Sequence, residues 1–404
     1  MKYVDDFRSP DLATGVLREI NVLMERIGTT AESPIRIMEV CGGHTHTISK
    51  FGLDSLLPPG VQFVHGPGCP VCVLPTGAID TAIAVAEQPN IIFTTFGDVM
   101  RVPGSESSLA VAKARGADVR VVYAPSDALA IAQQNPQKRV VFFAIGFETT
   151  APATALTVLQ AEKENVANFS ILCHHVLVIP PLRALLEDSK MCATAEGLST
   201  HSINVQESLK MGRLHGFLAP GHVSMVIGTK PYEPLAQTYH KPFVVAGFEP
   251  VDILMSLVMV LRQIANGRAE VENQYNRVVR PDGNPAAMRA VLRVFTPTAN
   301  REWRGIGNLP ESGLALRPEY QQWDVFAHLT VPQREAADPK ICQCGQVLRG
   351  EVEPWECKVF ATACTPETPI GACMVSSEGA CAAYYNYGRL APNKRLPLAP
   401  TMGR

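Results

Sequence analysis

Three groups of cysteines carry the chemistry expected of this sequence. The first is Cys41-Gly42-Gly43-His44-Thr45-His46. A cysteine directly after an apolar strand, with two glycines behind it, is expected to stand exposed at the mouth of a cleft. A helix beginning near His46 would favour thiolate through its positive end, and thiolate is both the nucleophile and the soft metal ligand. His44 and His46 offer protons or nitrogen donors. The plainer alternative is a buried cysteine beside two turn histidines. The second group is Cys69-Pro70-Val71-Cys72, behind Gly66-Pro67-Gly68. Cys-x-x-Cys at the start of a helix closes and reopens a disulfide, and that position lowers thiol pKa values. The same spacing serves zinc and iron–sulfur sites, but the chain has no second such pair, which favours redox cycling. The third group is Cys344, Cys357, Cys364 and Cys381, with gaps of twelve, six and sixteen residues. Four thiolates suit a [4Fe–4S] cluster or a structural zinc, and spacing alone leaves both open. Cys342 and Cys373 complicate the choice of ligands. Cys173, inside Ile171-Leu172-Cys173, reads as a small core hydrophobe, and Cys192 stands isolated.

Composition narrows the setting of these groups. The 404 residues exceed one ordinary core and suggest two or three domains. The first ten residues are charged and lack the apolar stretch of a secretory signal. The longest apolar run, 253–261, is about half of the ~20 residues a bilayer requires. A net charge of -2 provides no basic excess for nucleic acid. The expected protein is cytoplasmic, with no membrane and no nucleic-acid partner. In a reducing compartment its eleven cysteines are not expected to form structural disulfides, and an odd number cannot pair completely. Metal binding or redox chemistry is the expected use. The sequence has no phosphate-binding loop, no Gly-x-Gly-x-x-Gly and no Gly-x-Ser-x-Gly, so nucleotide hydrolysis, dinucleotide redox and serine hydrolysis lack support.

The elements that must position the cysteines are legible as an alternation. Short runs dense in Val, Ile and Phe occur at 35–40, 61–65, 91–96, 119–123, 140–143, 169–173, 216–219 and 243–246, as expected of strands buried on both faces. Ala-rich helical stretches lie between several of them, at 77–87, 107–115, 126–134 and 151–163. A further helix, 251–265, has Pro250 at its start and Gly267 beyond its end. The fold class is α/β: two parallel-sheet domains, followed by a C-terminal cysteine-rich domain. The lobes are expected to meet near 125–135, giving a first α/β domain at 31–128, a second at 129–265, and a metal-bearing cysteine-rich domain at 266–389. The segment 1–30 is expected to be helical and to pack on that last domain, and 390–404 to be a disordered tail. Many strands run into polar or glycine turns, among them Gly146-Phe147-Glu148, Pro220-Gly221-His222 and Gly247-Phe248-Glu249. The carboxyl ends of strands form the ligand crevice of open α/β sheets. Glu148, His222 and Glu249 could therefore orient a thiol or relay a proton, with turn or cap duty as the plainer role.

Taken together the motifs resemble the HypD family of hydrogenase maturation proteins. The likeness is carried by Ile37-Met38-Glu39-Val40-Cys41-Gly42-Gly43-His44-Thr45-His46, by His65-Gly66-Pro67-Gly68-Cys69-Pro70-Val71-Cys72 and by Gly146-Phe147-Glu148-Thr149-Thr150. Ala219-Pro220-Gly221-His222-Val223-Ser224, Gly247-Phe248-Glu249-Pro250, Glu272-Asn273-Gln274-Tyr275 and Ser376-Ser377-Glu378-Gly379-Ala380-Cys381 continue it in order over nearly the whole chain. The resemblance implies an assembly scaffold with a redox role rather than a free-standing turnover enzyme. It implies a monomer within a hetero-complex with a small HypC-type chaperone, holding Fe(II) while cyanide from a HypE-type donor and carbon monoxide build the Fe(CN)2CO unit of [NiFe]-hydrogenases. On that likeness Cys41 binds the iron, His44 assists proton transfer, Cys69 and Cys72 form the redox pair, and Cys344, Cys357, Cys364 and Cys381 hold a [4Fe–4S] cluster. Electrons could pass from that cluster through the pair to the iron. An iron–sulfur thiol–disulfide oxidoreductase with a diffusible substrate is the alternative. The stretch 188–213 reads as an insertion.

Overall fold

The computed structural model describes residues 5–188, 213–334 and 336–387. The insertion with Cys192 and the tail at 390–404 fall outside the described residues. The chain begins with α1 (Pro10–Ile27), then β1 (Ile35–Glu39), α2 (Gly42–Phe51) and β2 (Val61–His65). There follow α3 (Thr76–Ala86), β3 (Ile91–Thr95), α4 (Leu109–Ala114), β4 (Val119–Val121), α5 (Pro125–Gln134), β5 (Arg139–Gly146), α6 (Ala151–Lys163), β6 (Phe169–His175) and α7 (Ile179–Glu187). Beyond the insertion come β7 (Gly216–Pro220), α8 (Gly221–Ile227), α9 (Glu233–Tyr239), β8 (Phe243–Ala246), α10 (Pro250–Ala265) and β9 (Val271–Asn273).

All eight expected strands are present, and they form two parallel sheets. One has the order β2-β1-β7-β8-β9 and the other β4-β3-β5-β6. The expected boundary at 128/129 is therefore corrected. It would cut the four-stranded sheet between β4 and β5, and it would part β1 and β2 from β7, which pairs with β1 from Ile37↔Gly216 to Glu39↔Leu218. The chain leaves the five-stranded sheet after β2, builds the whole four-stranded sheet, and returns at β7. Strand composition identifies a buried strand but not its neighbour, because apolar runs of this kind pair interchangeably.

Each sheet reverses its strand order once, between β1 and β7 and between β3 and β5. At such a point successive connections leave in opposite directions and open space at the strand carboxyl ends. Cys41 and Gly221 follow β1 and β7; Gly97 and Glu148 follow β3 and β5.

Helix α1 is amphipathic. Ile20, Leu23, Met24 and Ile27 are buried at helical spacing, Ser9 caps the first turn by accepting from Leu12 N–H, and Gly28 closes the helix in the left-handed region. It packs on α10 and shares a core with β1, β2 and β8, with polar links Arg26–Asn266 (2.9 Å) and Arg262–Glu19 (2.7 Å). The expectation that the N-terminal segment packs on the cysteine-rich domain is thus corrected: its apolar stripe matches that of α10.

Past β9 the chain forms α11 (Pro285–Val294) and two small antiparallel pairs, β10 (Phe295–Pro297) with β13 (Leu314–Leu316) and β11 (Asn300–Trp303) with β12 (Gly307–Pro310). Two short helices, α12 (Cys344–Leu348) and α13 (Ala380–Tyr387), frame the cysteine-rich segment. That segment is not walled off. One continuous core joins Cys344, Cys364 and Tyr384 to Met38 and Phe217 of one sheet and to Phe143 of the other, and α13 packs on α2.

Candidate metal and dithiol site

Cys41 occupies the N-cap of α2 at the β1/β7 switch point. The Gly43 and His44 N–H groups point at its sulfur, but burial, then Glu378 and Glu39, push the thiol strongly upward. The sulfur is not exposed: Cys41 is 7 % accessible. The expected open thiolate is corrected for a packing reason. A Cβ on Gly68 would lie 2.2 Å from Cys41 N, one on Gly42 2.5 Å from Glu378 Cβ and one on Gly43 2.9 Å from the Phe248 ring. The glycines let backbone, carboxylate and ring close over the cysteine instead of leaving it open.

Glu39, fully buried at the end of β1, organises the surroundings. Its Oε2 accepts from Cys41 N–H (3.0 Å), and its Oε1 accepts from Thr45 Oγ1 and pairs with His65 Nδ1 (2.6 Å). His65 Nε2 lies 3.1 Å from Tyr384 Oη, which donates to Asp54 (3.1 Å). Burial alone lowers the His65 pKa; the hydrogen bond and charge of Glu39 outweigh it, and the net shift is upward. Sequence reasoning passed over Glu39, His65, Tyr384 and Glu378. The available signal was an acid inside the apolar run 35–40, which a buried strand accepts only with partners.

His44 is fully buried, with Nε2 3.2 Å from Ala246 O, its ring against Phe248 and Nδ1 without a hydrogen-bond partner among the described residues. Burial lowers its pKa and keeps the ring neutral. His222, exposed, also stacks on Phe248, with ring centroids 3.8 Å apart. His46 lies 3.3 Å from Tyr387 Oη. Glu249 caps α10 and binds Arg8 (3.0 Å), the plainer of its two expected roles. Glu148 is buried; Oε1 accepts from Val178 N–H (3.0 Å), Oε2 has no partner among the described residues, and burial raises its pKa to about 7.

The dithiol adjoins Cys41, since Gly42 N–H donates to Gly68 O (3.2 Å). Within it Cys72 N–H donates to Cys69 Sγ (3.4 Å). The pair sits in a turn ahead of α3 and not at a helix start, a further correction: Pro75 caps a helix that begins only at Thr76. No helix end offsets desolvation there, and Cys72 is pushed up by burial, by Cys69, and by the nearby Cys381 and Glu378.

All six C-terminal cysteines line one small cavity. The Cys344 and Cys373 side chains meet in it, with Cα atoms 6.2 Å apart. Cys342, Cys357 and Cys364 each raise Cys381 electrostatically. Four converging thiols are the donor set of an iron–sulfur cluster. Among the described residues no three His, Cys, Asp or Glu side chains are spaced for a single metal ion. Cys173 is only partly buried; it donates to Leu314 O (3.3 Å) and lines a cavity of about 720 Å³.

A model of the HypD family, described as the hydrogenase formation hypA family, matches residues 15–388. The chain belongs to the HypD family. It is 52% identical over 392 residues to the hydrogenase maturation factor HypD of Rhodobacter capsulatus, covering 96% of this chain and 98% of that protein. It is 50% identical over 388 residues to the HypD of Escherichia coli K12, with the same coverages. The hydrogenase expression/formation protein HupD of Azotobacter chroococcum is 46% identical over 392 residues, 96% of this chain and 97% of its own. No described helix of this HypD-family chain is long and apolar enough to cross a membrane.

Proposed function

We propose that this chain is a hydrogenase maturation factor that holds iron at Cys41 while the Fe(CN)2CO unit is assembled. The observation that carries the reading is the setting of Cys41: a thiol at a sheet switch point, between Glu39 and Glu378, with two helix N–H groups on its sulfur. Burial and carboxylates hold a proton there. A divalent cation supplies the missing positive charge and displaces that proton, so the site selects metal-bound thiolate over bare thiolate. Glu39 fixes the Cys41 backbone, and neutral His44 offers Nδ1 to a proton on the cargo. A HypC-type partner contributes a second thiolate, and a HypE-type donor brings cyanide. Cys69 and Cys72 take up two electrons on opening as a dithiol and give them back on closing. Cys344, Cys357, Cys364 and Cys381 hold a [4Fe–4S] cluster, which when bound supplies one-electron exchange; Cys342 and Cys373 line the same cavity.

Anaerobic co-expression with the HypC-type partner, followed by infrared and iron analysis, tests this reading. Cys41→Ala should lose the cyanide and carbon monoxide stretches while keeping its brown chromophore. Undiminished stretches in that variant would remove Cys41 from the iron site. Cys69→Ala should still bind the partner but halt maturation. Cys344→Ala should lose cluster iron and Cys342→Ala retain it; the reverse result makes Cys342 the ligand.

A further inference from the structure

Arg304 lies in the turn between β11 and β12 and is 2 % exposed. Its backbone N–H donates to Val73 O (2.8 Å), one residue past Cys72. Its Nη2 donates to Thr76 Oγ1 (2.8 Å) and Pro103 O (3.0 Å), whereas Nε and Nη1 have no hydrogen-bond partner among the described residues. Asp338 Oδ1 lies 3.4 Å from Nε, but that carboxylate is 33% exposed and already accepts from Thr76 Oγ1 (2.8 Å) and Gly305 N–H (2.9 Å). A buried cation with one long, partly solvated ion pair is costly unless a further anion faces it.

A cavity beside Arg304 indicates where that anion belongs. Arg304 shares the wall of a cavity of about 330 Å³ with Cys342 and Cys344. The turn is pressed onto the cysteine segment: a Cβ on Gly305 would lie 2.3 Å from Gly345 Cα. Besides Asp338, the charged or ionisable groups acting on Arg304 are Cys342, Cys72 and Asp80.

We propose that Arg304 is the counter-charge of the cluster held by the C-terminal cysteines and raises its reduction potential. The inference rests on the cluster reading above. A thiolate-ligated cluster is anionic and gains one further negative charge on reduction, so a fixed buried cation stabilises the reduced form more than the oxidised one. Because the same residue grips Val73 and Thr76, it also seats the dithiol turn against the cysteine cavity.

A potentiometric titration followed by electron paramagnetic resonance, on the whole chain purified anaerobically, tests it. Arg304→Gln should keep its iron and sulfide but show a one-electron reduction constant about tenfold smaller, a fall of about 59 mV. Arg304→Lys should stay close to the parent. Asp338→Asn, which removes the competing negative charge at a partly solvated position, should shift the midpoint upward. Equal midpoints in the parent, Arg304→Gln and Asp338→Asn overturn the inference while leaving the cluster in place. A parent protein without any cluster overturns the underlying reading instead. Should Arg304→Gln fail to fold, an unshifted midpoint in Asp338→Asn overturns the inference by itself.

Discussion

At the scale of single residues, the site is governed by buried groups whose ordinary charge is unfavourable where they sit. Glu148 illustrates the sign. Burial raises its pKa from 4.5 to about 7, so the folded protein keeps a proton that the unfolded chain releases between those values. Folding is then penalised increasingly as pH rises through that window. Glu148→Gln should match the parent in stability below pH 4.5 and gain on it up to pH 7, by roughly 3 kcal/mol at most, read from denaturant unfolding at a series of pH values. A constant difference across the window would mean that the carboxyl is ionised in the fold. Glu39, also a buried acid, is held by Cys41 N–H, Thr45 and His65. Its presence in an apolar run was visible in the sequence, but its partners were not, because His65 and Thr45 reach it only through strand pairing and the first turn of a helix.

At the scale of elements, helix spacing and strand composition translated faithfully. The runs at 61–65 and 243–246 are β2 and β8 to the residue, and 151–163 is α6. Helix α1 shows how far such a pattern reaches. Its helical state was expected but its packing surface was not, since any apolar groove of matching width satisfies an amphipathic helix. Ile20, fully buried in the α1–α10 core, should cost about 2–5 kcal/mol when cut to alanine. Val22, 63% exposed on the same helix, should change stability by no more than about 0.5 kcal/mol. Equal losses in thermal unfolding would contradict the packing of α1 on α10. The dithiol turn marks the limit of motif reading. Cys-x-x-Cys suggests a helix start, but Pro75 delays α3 to Thr76 and leaves the pair without a helix dipole.

At the scale of the whole molecule, the two sheets and the cysteine-rich segment share one core. Local loosening at the cysteines therefore propagates. Iron chelation under reducing conditions should raise amide hydrogen exchange in α13 and in α2, on which it packs, while α5 and α6, which belong to a different cluster of contacts, stay protected. Exchange confined to 340–387 would show instead that the segment behaves as an independent domain.

The sequence by itself determined the α/β class, the strand and most helix positions, the three cysteine groups and, through its motifs, the likeness to HypD. These are properties of neighbouring residues, and local periodicity and chemistry encode them directly. Only the tertiary structure decided that the five-stranded sheet is interrupted by the four-stranded one, that Cys41 is enclosed beside Glu39 and Glu378, that all six C-terminal cysteines line one cavity, and that Arg304 binds the turn beside the dithiol and shares a cavity with Cys342 and Cys344. Each of these depends on which distant segments meet. Meeting is settled by the competition among many similar apolar surfaces for the same core, and no single stretch of sequence holds that information.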